Sequence, residues 1–292
     1  MTTSGDSGGA APTPQARLSS DLGPRAASSV VMIAAALSTL WLGGDVFILF
    51  WLGCALALHW EWQRIIDAPR FKTRFFLGVG LIVLAVALLR SAHIEAALVV
   101  VGAGALTLAW LGGRGKRIWA GSGLVYAASV VISVTLLRVL SRIDGVEAIL
   151  WLFAVVWGTD VMAYFGGRLI GGPKLWPRLS PSKTWAGFLV GVFSGGLLGL
   201  LCLVLSAGSE NVEIVPLFLL GLLAGVIAQA GDFFESSIKR RFGVKDSSHL
   251  IPGHGGFMDR LDGFIAAAAF AALVGWFKSA GPGFVAIGLL RW

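Results

Sequence analysis

Hydrophobic residues in this chain come in long blocks, not in alternation with polar ones. Apolar runs occupy about 27–42, 45–60, 74–90, 94–111, 118–138, 146–166, 185–206, 213–231 and 262–279. A helix needs roughly 17–25 such residues to cross the hydrocarbon core of a bilayer, and several runs reach that length. The pattern predicts an all-α polytopic membrane protein of about nine transmembrane helices. The first two runs are short and are split by Gly43-Gly44; the alternative is one helical hairpin that spans imperfectly. A last apolar stretch, 282–290, is too short to span alone. Residues 1–25 are rich in Gly, Pro, Ser and Thr and predict a disordered tail. No cleavage site follows the first apolar run, which reads as a helix and not as a signal peptide.

Charge orients these helices. With the N-terminus in the cytoplasm, 18 of the 23 Lys and Arg residues fall on inner segments, leaving Arg90, Arg138, Arg142, Lys278 and Arg291 outside. That bias is the one positively charged inner loops produce. It predicts a multi-pass protein of a cell inner membrane whose chemistry faces the cytoplasm. Composition agrees: 56% of residues are hydrophobic and 13% charged, with a mean hydropathy of +0.81. Soluble domains carry about 25% charged residues. The net charge of +7 therefore belongs to membrane-flanking loops and not to a nucleic-acid surface. Cys54 and Cys202 lie inside apolar runs, unpaired in spacing, and read as small core residues.

Two halves differ in kind. Residues 26–145 are plain Leu, Val, Ala and Trp helices and read as a scaffold. From Trp157 onward, acids, bases and glycines crowd the inner helix ends, so 146–292 reads as the catalytic region. Charge in a bilayer is costly and is expected to pair, line a wet cavity or bind an ion.

The densest segment is 231–262, GDFFESSIKRRFGVKDSSHLIPGHGGFMDRLD. Carboxylates there are hard oxygen donors suited to Mg2+; Lys and Arg suit phosphate oxygens. The plain alternative is a loop that is charged because it is wet. Asp232, Ser236 and Lys239 fall on one helical stripe, able to hold a metal and a phosphate side by side. Gly253, Gly255 and Gly256 flank His254 and predict backbone N–H groups open to a ligand. Asp259 is favoured as a metal ligand, whereas Asp262 reads mainly as a helix cap. Earlier in the chain, Asp160 and Tyr164 share a helical face before Gly166, Gly167 and Gly171, where small-residue helix packing is the alternative for the glycines. The Ser180–Thr184 loop offers hydroxyls and Lys183 to a phosphate, or serves as a wet connector.

The run from Ser237 through Lys239, Arg240, Lys245, Asp246, Ser248, Pro252, His254, Gly255, Gly256, Asp259 and Arg260 to Asp262 resembles the signature of the phosphatidate cytidylyltransferases. The stretches Asp160–Gly171 and Ser180–Gly187 resemble the same family, although Ala186 stands where many members carry Glu. The resemblance implies that CTP and phosphatidic acid are joined into CDP-diacylglycerol and pyrophosphate. It implies a need for Mg2+, with K+ a candidate second cation, and a homodimer in the lipid bilayer. Asp232 and Asp259 would be the metal pair. Ser236 and Lys239 would stand close to the phosphates, and Ser237, Arg240, Lys245, His254, Gly255, Gly256, Arg260, Lys183, Asp160 and Tyr164 would contact substrate.

Two other classes remain open on residues alone. A transporter of anionic solutes accounts for intramembrane acids, but its site belongs near the midplane and not at inner helix ends. A CDP-alcohol phosphatidyltransferase would continue past Asp262-Gly263 with an Arg and further aspartates, and here FIAAAAF follows.

Overall fold

The computed structural model describes residues 14–141, 144–207, 212–251, 253, 255–279 and 281–292, and in it each of the apolar runs lies in a helix. They are α1 (Pro14–Leu42), α2 (Gly44–Ile65), α3 (Phe71–Arg90), α4 (Ile94–Leu111), α5 (Arg117–Val134, prolonged by a π-helical turn, Thr135–Val139), α6 (Gly145–Leu169), α7 (Trp185–Ala207), α8 (Ile214–Arg241), α9 (Met258–Lys278) and the short α10 (Val285–Leu290). Lipid offers no partner to a backbone amide, so an apolar run must close its own hydrogen bonds, as a helix does. Among the described residues, eight helices, α2 to α9, are long and apolar enough to cross a membrane; the apolar part of α1, Ala27–Leu42, is shorter. Large apolar side chains such as Leu106, Trp110, Leu205 and Phe277 lie exposed on the helix surfaces, the arrangement expected when the solvent is hydrocarbon.

Several boundaries differ from the apolar pattern. Helix α1 begins at Pro14, inside the segment expected to be a disordered tail; Pro suits the first helical turn, where its missing N–H is not needed. Residues 1–13 lie outside the described residues. Gly43, at φ 63°, breaks α1 from α2. The connection from α6 to α7 is a small antiparallel hairpin, β1 (Lys174–Trp176) and β2 (Ser180–Thr184), with Lys174 opposite Thr184 and Trp176 opposite Ser180.

Packing between α6 and α7 is set by small residues. A Cβ at Gly187, Gly191 or Gly195 of α7 would approach the carbonyl oxygens of Ala163, Thr159 and Val155 to 2.7, 2.6 and 2.7 Å. The two backbones therefore touch along a seam with four-residue spacing.

Successive helices run in opposite directions. The ends of α2, α6 and α8 and the starts of α7 and α9 consequently meet at one end of the bundle, where the polar residues collect. The far end carries the ion pairs Asp45–Arg90 at 2.6 Å and Asp144–Arg291 at 2.8 Å.

Candidate active site

A cavity of about 530 Å³ opens at the polar end, between α6, the hairpin, α7, α8 and α9. Asp160, Tyr164, Lys183, Asp232, Asp259 and Arg260 all line it, as do Arg168, Gln229 and Asp262. Residues from two distant stretches of sequence thus converge on one space. Helix α8 continues past the apolar run to Arg241, so Asp232 sits on its final turns and not beyond its end.

Lys183, delivered by β2, forms an ion pair with Asp232. Its Nζ also donates to Gln229 Oε1 at 2.9 Å and lies 4.6 Å from the Phe233 ring centroid. Ser236 Oγ donates to Asp232 Oδ1 at 3.4 Å, which bears out the stripe they share. Asp160, Asp232 and Asp262 repel one another electrostatically across the cavity, with Lys183 and Arg260 as the opposing charges.

Lys239 faces elsewhere. Its Nζ donates to Asp259 Oδ1 at 2.6 Å and lies 2.9 Å from Glu235 Oε2, an ion-pair distance without hydrogen-bond geometry. Glu235 is buried. Neither Lys239 nor Ser236 lines the cavity. Nor do Ser237, whose hydroxyl donates to Phe234 O at 2.6 Å, or the exposed Arg240 and Lys245. His254 lies outside the described residues.

The glycine loop also differs from expectation. The Gly256 amide is committed within the protein. Asp259 Oδ2 accepts from Gly256 N at 2.8 Å, Ser247 N at 2.9 Å and Ser247 Oγ at 2.8 Å. Helix α9 begins at Met258, which places Asp262 in its second turn, facing the cavity and not capping the helix. The cap comes from outside the segment. Glu61, fully buried at the end of α2, accepts from Phe257 N at 2.9 Å, Met258 N at 2.7 Å and Ser248 Oγ at 2.6 Å, and its Oε2 lies 3.2 Å from Ser247 Oγ, whose proton goes to the nearer Asp259. A carboxylate at the first turn satisfies orphan N–H groups and complements the helix dipole. Sequence reading missed Glu61 because it falls just past the second apolar run, in a half expected to be plain scaffold. A lone acid at a transmembrane helix end was the available signal.

A Cβ at Gly256 would collide with Ser247 Oγ and Glu61 Oε1. Gly256→Ala is therefore expected to destabilise the loop by about 1–3 kcal/mol, as overpacking does. Thermal unfolding in detergent followed by tryptophan fluorescence measures the loss; an unchanged midpoint would count against this packing.

Among the described residues, no three His, Cys, Asp or Glu side chains form a tight metal-binding group. The residues nevertheless suit a divalent cation. Four carboxylates, Asp160, Asp232, Asp259 and Asp262, line the cavity beside the cationic Arg168, Lys183 and Arg260, and carboxylate oxygens are hard donors. Asp259 Oδ1 and Oδ2 are already engaged by Lys239, Ser247 and Gly256, so it would serve a cation only by exchanging one of these partners.

Fold and site together define a polytopic α-helical membrane protein with a charged cavity at one end of its bundle. Residues 24–277 match the Cytidylyltransferase family. A protein from Brucella abortus biovar 1 named phosphatidate cytidylyltransferase is 41% identical over 263 residues, covering 88% of this chain and 94% of that one. Proteins of the same name from Staphylococcus haemolyticus and Rickettsia felis are 44% and 40% identical over 43% and 48% of this chain, and over 47% and 63% of their own lengths. The chain belongs to the cytidylyltransferase family and is a nucleotidyltransferase enzyme.

Proposed function

We propose that the protein joins CTP to phosphatidic acid, giving CDP-diacylglycerol and pyrophosphate, at the cytoplasmic face of a cell inner membrane. A phosphate oxygen of the lipid attacks the α-phosphorus of CTP; the new P–O bond forms as the bond to the β-phosphate oxygen breaks, and pyrophosphate leaves with that electron pair. The nucleophile is already ionised near neutral pH, so no strong general base is called for. The barrier is repulsion between two polyanions, which fixed positive charge and a cation reduce.

The observation that carries this reading is the meeting of Asp160, Asp232 and Asp262 with Lys183 and Arg260 in one cavity. Asp232 and Asp259, joined by Asp262 and Asp160, are the residues that would hold Mg2+. When bound, the cation would neutralise phosphate charge and stabilise the leaving pyrophosphate. Lys183 and Arg260 attract and orient phosphate oxygens. Lys239, Glu235 and Glu61 act behind the cavity wall, keeping the 244–257 loop and the start of α9 in register with Asp232.

The test is a detergent assay of purified protein with labelled CTP, phosphatidic acid and Mg2+. Label is expected in a lipid-extractable CDP product, with pyrophosphate released in equal amount, and chelation with EDTA is expected to abolish both. No lipid-linked label from folded protein would refute the reaction; undiminished turnover in EDTA would refute the cation's part in it.

A further inference from the structure

A second cavity, of about 290 Å³, lies between α1, α2, α6 and α9. Unlike the first, its walls are almost wholly apolar. Trp51 and Phe264 stack at 4.9 Å, Phe153 and Trp157 at 4.5 Å, and these rings form one side; Ile33 and Ala36 of α1 contribute the other. Three polar residues interrupt the lining, Ser29, Asp160 and Arg260, and the two charged ones, Asp160 and Arg260, also line the charged cavity. The two cavities therefore share a border, made of one acid and one base.

We propose that this groove holds an acyl chain of the phospholipid substrate. The proposal rests on the reading above that the substrate is a lipid phosphate monoester. An amphiphile with a dianionic head and hydrocarbon tails needs an apolar channel that ends where its phosphate must react. The groove meets that requirement. Arg260 at the border offers charge to the phosphate, and the aromatic wall offers a pre-formed apolar surface to the chain. Bulk membrane lipid could coat any exposed helix surface, but a groove that ends at Arg260 and Asp160 discriminates in favour of an anionic head. The N-terminal helix thereby becomes a determinant of lipid recognition, not only a piece of scaffold.

The test fills the groove from α1. Ile33→Trp and Ala36→Trp are expected to raise the KM for dioleoyl-phosphatidate in mixed micelles by about 10-fold, the scale of a changed apolar pocket. The KM for CTP, and that for dihexanoyl-phosphatidate, should stay within about 2-fold of wild type. Equal effects on both lipids, or none on the long-chain lipid, would overturn the proposal. Should both variants fail to fold, the wild-type protein supplies a second measurement. A phosphatidate carrying a mid-chain diazirine should crosslink to α1 or α9 peptides, and unlabelled phosphatidate should suppress the crosslink where phosphatidylcholine does not. Equal suppression by both lipids would identify ordinary boundary lipid and sink the idea. A wild-type protein that binds phosphatidate in this way yet makes no CDP-lipid would instead remove the proposed reaction.

Discussion

Asp232→Asn is expected to lower CDP-lipid formation by about 10³-fold, the scale on which a preorganised electrostatic contact acts in a water-poor site, while leaving the protein folded. The substitution keeps the shape of the side chain and removes its charge. Three effects coincide at this one carboxylate. It is the partner of Lys183, it accepts from Ser236, and it faces Asp160 and Asp262 in the cavity. Without its charge, the cavity loses a cation ligand and Lys183 loses its anchor. The ion pair is partly exposed, so its loss should cost little global stability. The measurement is steady-state turnover beside a thermal unfolding midpoint. A variant that keeps near wild-type rate would remove Asp232 from the chemistry, and one that unfolds early would make its role structural.

Glu61→Ala carries the second large effect. The carboxylate is fully buried and accepts from Ser248 Oγ and from the backbone N–H groups of Phe257 and Met258 at the start of α9, with Ser247 Oγ 3.2 Å away. Removing it leaves the Phe257 and Met258 N–H groups without their partner in the interior, at a cost of about 3 kcal/mol or more. The damage should be local to the 244–257 loop and the start of α9. Hydrogen exchange is expected to speed up at Phe257 and Met258 and stay unchanged in α3 and α4, and turnover is expected to fall by about 100-fold or more. Glu61→Gln retains one acceptor oxygen and should recover part of the activity. Wild-type exchange and turnover in Glu61→Ala would show that α9 needs no such cap.

These two residues also mark how far the sequence could be read. Asp232 was legible because its partners lie close in sequence or in motifs: Ser236 is one turn on, and Lys183 stands in a Ser- and Lys-bearing stretch of its own. Helix type was legible because lipid enforces one backbone solution for a long apolar run. Glu61 was not legible as a site residue. Its partners are Ser247, Ser248, Phe257 and Met258, and only tertiary packing brings α2 against them. For the same reason the engagement of the Gly256 amide by Asp259 was not legible. The glycine spacing suggests open amides, but whether an amide is open depends on acids elsewhere in the fold. Lys239 shared the stripe of Asp232 as expected, yet its long side chain turns to Glu235 and Asp259, a choice that helical spacing does not determine. Asp262 read as a cap because the apolar run starts there, whereas α9 starts at Met258. The hairpin was missed since β1 and β2 are brief and β2 contains Ser and Pro, without the alternation that marks a strand.

The glycine seam between α6 and α7 has a mechanical consequence. Helices in backbone contact cannot slide without collision, and no lipid tail or water file fits between them. The two therefore behave as a stiff plate that carries Asp160, with Lys183 on β2 just ahead of the first residue of α7. Any breathing that admits a nucleotide or a lipid and later releases the products is left to softer borders, such as the edge along α1 or the segment that Glu61 tethers.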